Sequence, residues 1–311
     1  MVRKIAFLGL DNAGKTSTIT VITKRFGFEE EVSKLSPTRR ISRETFKFLG
    51  IEFTRMDFGG QKKYRKDYLK SPAKYLGGTD MIFYVIDAQD YGRYNESIEY
   101  LEQILIYFKE AQVYPPILIL FHKFDPKIAL DSELNKKTLT LKQSLTKFSH
   151  AFDIFFFETS IYDIKSIMDC FSSGLSLLYD KLEMVSNLFA EISQNYNALM
   201  IALFDSKGIT LGEFHSPQLQ LNEKLKIYDI YIDVQKRIMA ENRMLFEFSD
   251  KFEDGTRFSG LVEVLKFGKM AFYLLFILEE DEKDLEKTVN ILNKIESAKP
   301  QIENVILQII Q

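Results

Sequence analysis

Gly9-Leu10-Asp11-Asn12-Ala13-Gly14-Lys15-Thr16 has the spacing G-x-x-x-x-G-K-[ST]. Two glycines let the main chain bend around an anion, so that the N–H groups of Asp11, Asn12, Ala13, Gly14, Lys15, Thr16 and Ser17 can wrap a β-phosphate. An apolar run ends at Gly9 and a helical pattern follows, which aims a helix dipole at the same anion. Lys15 brings a mobile positive charge to the β- and γ-phosphates, and the Thr16 hydroxyl offers an oxygen ligand to Mg²⁺. A glycine turn joining any strand to any helix is the bland alternative, and the residues downstream argue against it.

Hydrolysis of a nucleoside triphosphate needs the phosphates cradled, a metal held, a water aimed and a base recognised. Thr38 stands 22 positions after Thr16, where its hydroxyl can join Thr16 on the metal and its N–H can touch the γ-phosphate. Asp57 closes an alternating apolar–polar run and is the carboxylate expected at the metal's water shell. Gly59-Gly60 permits close backbone approach to the γ-phosphate, and Gln61 follows to orient the attacking water. Gln61 and Lys15 are therefore the catalytic candidates, and Thr16, Thr38 and Asp57 the metal ligands. Base choice is carried by Lys123-Phe124-Asp125: the Asp125 carboxylate can accept from guanine N1–H and N2–H₂, a donor pair that adenine lacks. Lys123 would lay its stem over the base plane. Ser160 and Ile161 would meet the base from the other side, Ile161 through its N–H to O6. A Lys-x-Asp triplet alone is usually a charged turn; in this order and register it argues for GTP with Mg²⁺.

The elements that must position these residues alternate. After the phosphate loop comes a helix over 18–26, then a polar loop over 29–42 and a hairpin of 45–48 and 51–57 around Leu49-Gly50. Residues 81–87 form a continuous apolar strand, as does 116–121, which ends in His122. Helices over 95–109, 132–149 and 164–184, with a strand over 154–157, complete a doubly wound α/β domain with a mixed sheet. From 188 the grammar becomes α-β-β-α-β-β-β-α, with no phosphate loop, metal cluster or nucleophile–base pair, so 188–311 reads as a binding or dimerisation module.

Composition sets the outer bounds. The chain has 311 residues, 46% hydrophobic and 27% charged, enough for two cores. A net charge of −3 gives no support to a nucleic-acid binder, and the cluster Lys62, Lys63, Arg65, Lys66 reads as a solvated face. The single Cys170 excludes an intramolecular disulfide and suits a cytoplasmic setting. No apolar run reaches membrane-spanning length, no cleavable signal is expected, and neither Val2 nor Ile309-Ile310-Gln311 supports lipidation. Any visit to a membrane would thus be borrowed from a partner. His150 and His215 show no ligand spacing and are expected at the surface.

At this point a resemblance is plain. Residues 1–184 look like a small GTPase: the segments from Gly9 to Thr16 and from Asp57 to Gln61 are similar to the Arf family's phosphate loop and switch II. His122-Lys123-Phe124-Asp125 and Thr159-Ser160-Ile161-Tyr162-Asp163 resemble the Rag family, which tolerates His where most GTPases have an Asn that ties the base loop to the phosphate loop. The C-terminal module, beginning Leu188-Phe189-Ala190-Glu191-Ile192, looks like the α+β, longin-like roadblock domain of Rag proteins. The resemblance implies GTP/GDP exchange and hydrolysis, and a second roadblock-bearing GTPase as partner, identical or related. It also implies an exchange factor and a GTPase-activating protein as regulators, with switch loops around Thr38 and Gln61 ordered by the γ-phosphate. The rival is a nucleotide-locked scaffold with little turnover. A phosphate-loop kinase or ATPase comes third, since it would leave Asp125 and Ser160-Ile161 without a task.

Overall fold

The computed structural model describes residues 2–24, 28–36, 38, 41–48, 51–206, 208–241, 243–280 and 287–310. The chain divides into two compact units, Met1–Leu178 and Tyr179–Gln311.

In the first unit the elements are β1 (Val2–Leu8), α1 (Lys15–Lys24), α2 (Glu29–Ser33), β2 (Ile41–Phe48), β3 (Ile51–Phe58), α3 (Lys62–Lys70) and α4 (Pro72–Leu76). They continue with β4 (Met81–Asp87), α5 (Tyr94–Glu110), β5 (Ile117–His122), α6 (Ser132–Thr146), β6 (Ile154–Thr159) and α7 (Ile164–Leu178). The sheet order is β2-β3-β1-β4-β5-β6, all parallel except β2, which pairs antiparallel with β3. β4 and β5 are apolar and buried up to their last residues, Asp87, which is half-buried, and His122, which is buried, as strands covered on both faces must be. One face packs Ile82, Tyr84, Ile117 and Ile119 against Leu101, Ile104 and Leu105 of α5 and Leu141 of α6. On the other, Phe83 stacks on Phe7 with centroids 4.8 Å apart and meets Phe171 of α7 at 5.8 Å. Parallel registers pair Phe7 with Asp57, Asp87 with His122 and His122 with Thr159. The carboxyl ends of β3, β1, β4, β5 and β6 therefore open on one edge, and β1 lies where the order reverses, the place such sheets offer to ligands.

The second unit comprises α8 (Lys181–Tyr196), β7 (Ala198–Asp205), β8 (Thr210–His215), α9 (Leu221–Glu241), β9 (Leu245–Lys251), β10 (Arg257–Phe267), β11 (Met270–Glu279) and α10 (Lys287–Ile310). Its antiparallel sheet runs β8-β7-β11-β10-β9. Tyr231 of α9 stacks on Phe204 at 4.2 Å within a core that includes Val262, Leu275 and Ile277. α8 lies so close on β8 that a Cβ at Gly212 would fall 2.5 Å from Val185.

Several expectations need correction. The helix expected over 164–184 ends at Leu178, and α8 begins at Lys181, so the boundary expected between 184 and 188 falls inside a helix. The polar stretch 29–42 contains the short α2 and the start of β2. Lys62, Lys63 and Lys66 are exposed, but Arg65 is buried, because α3 turns it inward. His215 is half-buried rather than on the surface, with Glu213 at 3.3 Å and the Tyr228 hydroxyl at 3.2 Å. The turn at Leu49-Gly50, Pro37, Arg39, Arg40, the end of the first expected helix at Phe26 and the start of the last at Glu282 lie outside the described residues. No helix of the described residues is long and apolar enough to cross a membrane.

Candidate functional site

The loop between β1 and α1 bends as its glycines allow. Gly14 has φ +95°, and a Cβ there would meet the His122 ring at 2.2 Å, so the position has room for neither a side chain nor its backbone strain. Asn12 is also left-handed, at φ 60°. α1 opens at Lys15 with its first turn closed by Thr18 N–H to the Gly14 carbonyl at 2.9 Å. Its sequence is rich in β-branched residues, and Thr18, Thr20 and Thr23 return their hydroxyls to the carbonyls four residues back.

Lys15 is buried and its ammonium donates to the carbonyls of Gly9 at 3.1 Å and Leu10 at 2.6 Å. Burial pulls its pKa down to about 8, against the opposing pull of Asp57 and Asp11. A cation held on two carbonyls in a dry loop is poised to gain from an incoming polyanion. The Thr16 hydroxyl donates to Asp57 Oδ2 at 2.7 Å, the Thr38 hydroxyl donates to the same oxygen at 3.0 Å, and the two hydroxyls are 2.9 Å apart. Asp57 Oδ1 is buried and accepts no hydrogen bond among the described residues. An orphaned carboxylate oxygen beside two hydroxyls is a hard, all-oxygen donor set that fits Mg²⁺. No group of three or more His, Cys, Asp or Glu suited to a metal occurs among the described residues.

Above these groups lies a pocket of about 240 Å³ lined by Asp11, Asn12, Gly14, Lys15, Thr16, Ser17, Leu35, Ser36, Thr38, Gly60 and Gln61. It gathers the expected phosphate-side residues except Ala13, which is buried in the loop, and Asp57 and Gly59, which do not line it. Leu35 and Ser36, just before Thr38, were not expected there. Gly60 is pressed on the loop: a Cβ would sit 2.2 Å from Asp11 N.

The base-side residues gather at the ends of β5 and β6. Asp125 accepts from the Ser160 hydroxyl at 2.5 Å on Oδ1 and from Gln89 Nε2 at 3.4 Å on Oδ2. Lys123 adopts a left-handed φ of 62° and pairs with Asp87 at 2.6 Å. Asp87 is a site residue that sequence reasoning missed, although a carboxylate ending an apolar strand was a usable signal. Ile161 follows Ser160 in the turn that bridges Ser160 to Asp163. His122 joins the two halves: Nδ1 lies 3.0 Å from the Thr159 hydroxyl and the far side of the ring abuts Gly14. Burial, reinforced by the charge of Lys123, lowers its pKa to about 3, so the ring is neutral.

A phosphate loop with its lysine, a hydroxyl–carboxylate cluster at the strand ends and a Lys-x-Asp turn above the same sheet edge define the G domain of a small GTPase. The family model for the Gtr1/RagA G protein conserved region matches residues 4–234. The chain belongs to that family and is a small GTPase, a GTP-binding switch of the Rag and Arf-like group. It is 34% identical to ADP-ribosylation factor-like protein alp41 of Schizosaccharomyces pombe over 140 residues, 45% of this chain and 69% of that protein. It is 33% identical to ADP-ribosylation factor-like protein 3 of Chlamydomonas reinhardtii over 138 residues, 44% of this chain and 72% of that one. Among solved structures, the Arl6 BBS3 small GTPase of Trypanosoma brucei, with bound nucleotide analogue GppNp, aligns over 57% of this chain and 97% of its own, at 21% identity and TM-score 0.46.

Proposed function

We propose that the strand-end crevice binds GTP and GDP with Mg²⁺ and hydrolyses GTP slowly, with the Thr38 and Gln61 segments carrying the state of the nucleotide to partners. The observation that carries this reading is the meeting of Thr16 and Thr38 on one oxygen of Asp57, with the other oxygen orphaned, beneath a pocket that Gln61 borders. Lys15 would exchange its two carbonyl partners for phosphate oxygens. Thr16, Thr38 and Asp57 would hold Mg²⁺, which when bound neutralises charge on the phosphates. Gln61 would orient the water. Ser160 fixes Asp125 by one oxygen, which supports a carboxylate held for guanine N1–H and N2–H₂, while Lys123, anchored on Asp87, covers the base. The Ile161 N–H would meet O6. Single-turnover hydrolysis tests this: the unmodified chain should turn over at roughly 10⁻⁴ to 10⁻² s⁻¹ without an activator, and Gln61→Leu should keep binding and lose most turnover. Phosphate release unaffected by that change would favour a nucleotide-locked scaffold.

The second unit supports a further reading, that it is a roadblock module pairing this chain with another roadblock-bearing GTPase. Its element order, α-β-β-α-β-β-β-α, is the one expected of such a module, and its sheet ends in β8 and β9, strands with no outer strand partner among the described residues. Light scattering decides it: a monomeric full chain at micromolar concentration that captures no roadblock protein would contradict the pairing.

A further inference from the structure

Behind the residues that would touch nucleotide, a line of alternating charges joins α3, α5 and the phosphate loop. Arg65 is buried; its Nε donates to the Gly60 carbonyl at 2.8 Å and its Nη2 pairs with Glu96. Glu96 carries a second guanidinium, that of Arg93, whose Nε reaches Oε2 at 3.0 Å. Arg93 then continues to the phosphate loop, with Nη2 2.7 Å from Asp11 Oδ1 and Nη1 3.3 Å from the Asp11 carbonyl. Both carboxyls sit below their ordinary values. Glu96 is lowered first by its hydrogen bond from Arg65; at Asp11 burial pushes upward, but the bond and charge of Arg93 prevail. The two ends of this relay also touch directly, since Gly60 lies against the backbone of Leu10 and Asp11. Asp11 and Gly60 are walls of the same pocket.

We propose that Glu96, acting through Arg65 and Arg93, is a positioning residue that holds Gly60 against Asp11 as a closed wall for the third phosphate, so that it sets the preference for triphosphate over diphosphate. The reasoning rests on the guanine-nucleotide reading above. Lys15 bonds the Gly9 and Leu10 carbonyls and Thr16 bonds Thr38 and Asp57, so the relay meets the part of the site that would hold the β-phosphate only at Asp11 and bears chiefly on the third phosphate. Gly60 depends on the relay: without Glu96, Arg65 becomes a buried cation with no carboxylate and moves toward water, releasing the Gly60 carbonyl. Arg93 has a second effect, cancelling the Asp11 charge that would otherwise face the phosphates.

The test is displacement titration of the full chain with Mg²⁺, using GDP and a non-hydrolysable GTP analogue in parallel. Glu96→Gln should weaken the triphosphate analogue by about tenfold or more, as loss of a charge-assisted contact implies, and leave GDP affinity within about twofold. Retained GDP binding is also the control for folding. Arg93→Gln removes the half-exposed link without stranding a buried charge, and should move the ratio in the same direction by a smaller factor. If Glu96→Gln does not fold, the Arg93→Gln ratio decides alone. Equal losses for both nucleotides, or no loss for either, would overturn the relay while leaving the nucleotide site intact. Failure of the unmodified chain to bind either nucleotide would instead remove the reading on which the relay rests, and the relay with it.

Discussion

His122 offers a sharp prediction because its ring is buried, uncharged and wedged between the two halves of the site. Its pKa in the folded chain is about 3 against an ordinary 6.5. In the unfolded chain the imidazole takes up a proton as the pH falls through 6.5, whereas in the folded chain it stays neutral until about 3. The unfolded state then binds more protons, so stability must fall as the pH drops through that window. Between pH 7 and pH 5 the loss from this residue alone is about 2 kcal/mol. His122→Asn keeps a polar partner for Thr159 but has no titrating ring. Urea unfolding followed by circular dichroism should show wild type losing about 2 kcal/mol more than His122→Asn between the two pH values. The chain has only three histidines, so ring signals can be followed directly by NMR, and His122 should not titrate between pH 5 and 8. A His122 signal with a midpoint near 6.5, or identical pH dependence in the variant, would refute the argument that burial keeps the ring neutral.

Three further perturbations follow. Gly60→Ala places a Cβ 2.2 Å from Asp11 N, so Gly60 must draw back from the loop, and the variant should lose at least about tenfold more affinity for the non-hydrolysable GTP analogue than for GDP; equal losses, or none, would contradict the close approach. Asp57→Asn removes the orphaned carboxylate oxygen and its charge, so nucleotide release rates with Mg²⁺ and with EDTA, which should differ widely in wild type, should converge; persistence of the wild-type difference would remove Asp57 from the metal site. Asp125→Asn presents an amide where the carboxylate stood, so competition assays should show GTP weakened by orders of magnitude and xanthosine triphosphate favoured; unchanged base preference would move base recognition elsewhere.

The parts of this fold legible in the sequence were those written in local pattern. The G-x-x-x-x-G-K-T spacing, the apolar runs of β4 and β5 and the alternation of the β2–β3 hairpin each declare themselves within a few residues. α3 did not: Lys62-Lys63-Tyr64-Arg65-Lys66 offers little apolar periodicity, and its one informative residue, Arg65, is buried because Glu96 lies 31 positions away to receive it. The Arg93–Asp11 link spans 82 positions. Such pairs exist only once the strands are ordered, so no window of sequence contains them. The break between α7 and α8 was hidden for the opposite reason. Neither Gly nor Pro marks Tyr179-Asp180, and helical periodicity runs on through both sides. His122 could be placed but not characterised, since its neutrality depends on Gly14 and Thr159 closing around it.

The central claim, a guanine-nucleotide site built from the β1–α1 loop, the Asp57 cluster and the Asp125 turn, is tested most directly by titrating the full chain, freed of nucleotide, with fluorescent GTP in Mg²⁺ and competing with unlabelled GTP, GDP and ATP. GTP and GDP should displace the probe, ATP should fail to do so at concentrations about a hundredfold higher, and Lys15→Ala should lose most affinity for the triphosphate. Displacement by ATP as effective as by GTP, or unchanged affinity in Lys15→Ala, would contradict the site as described.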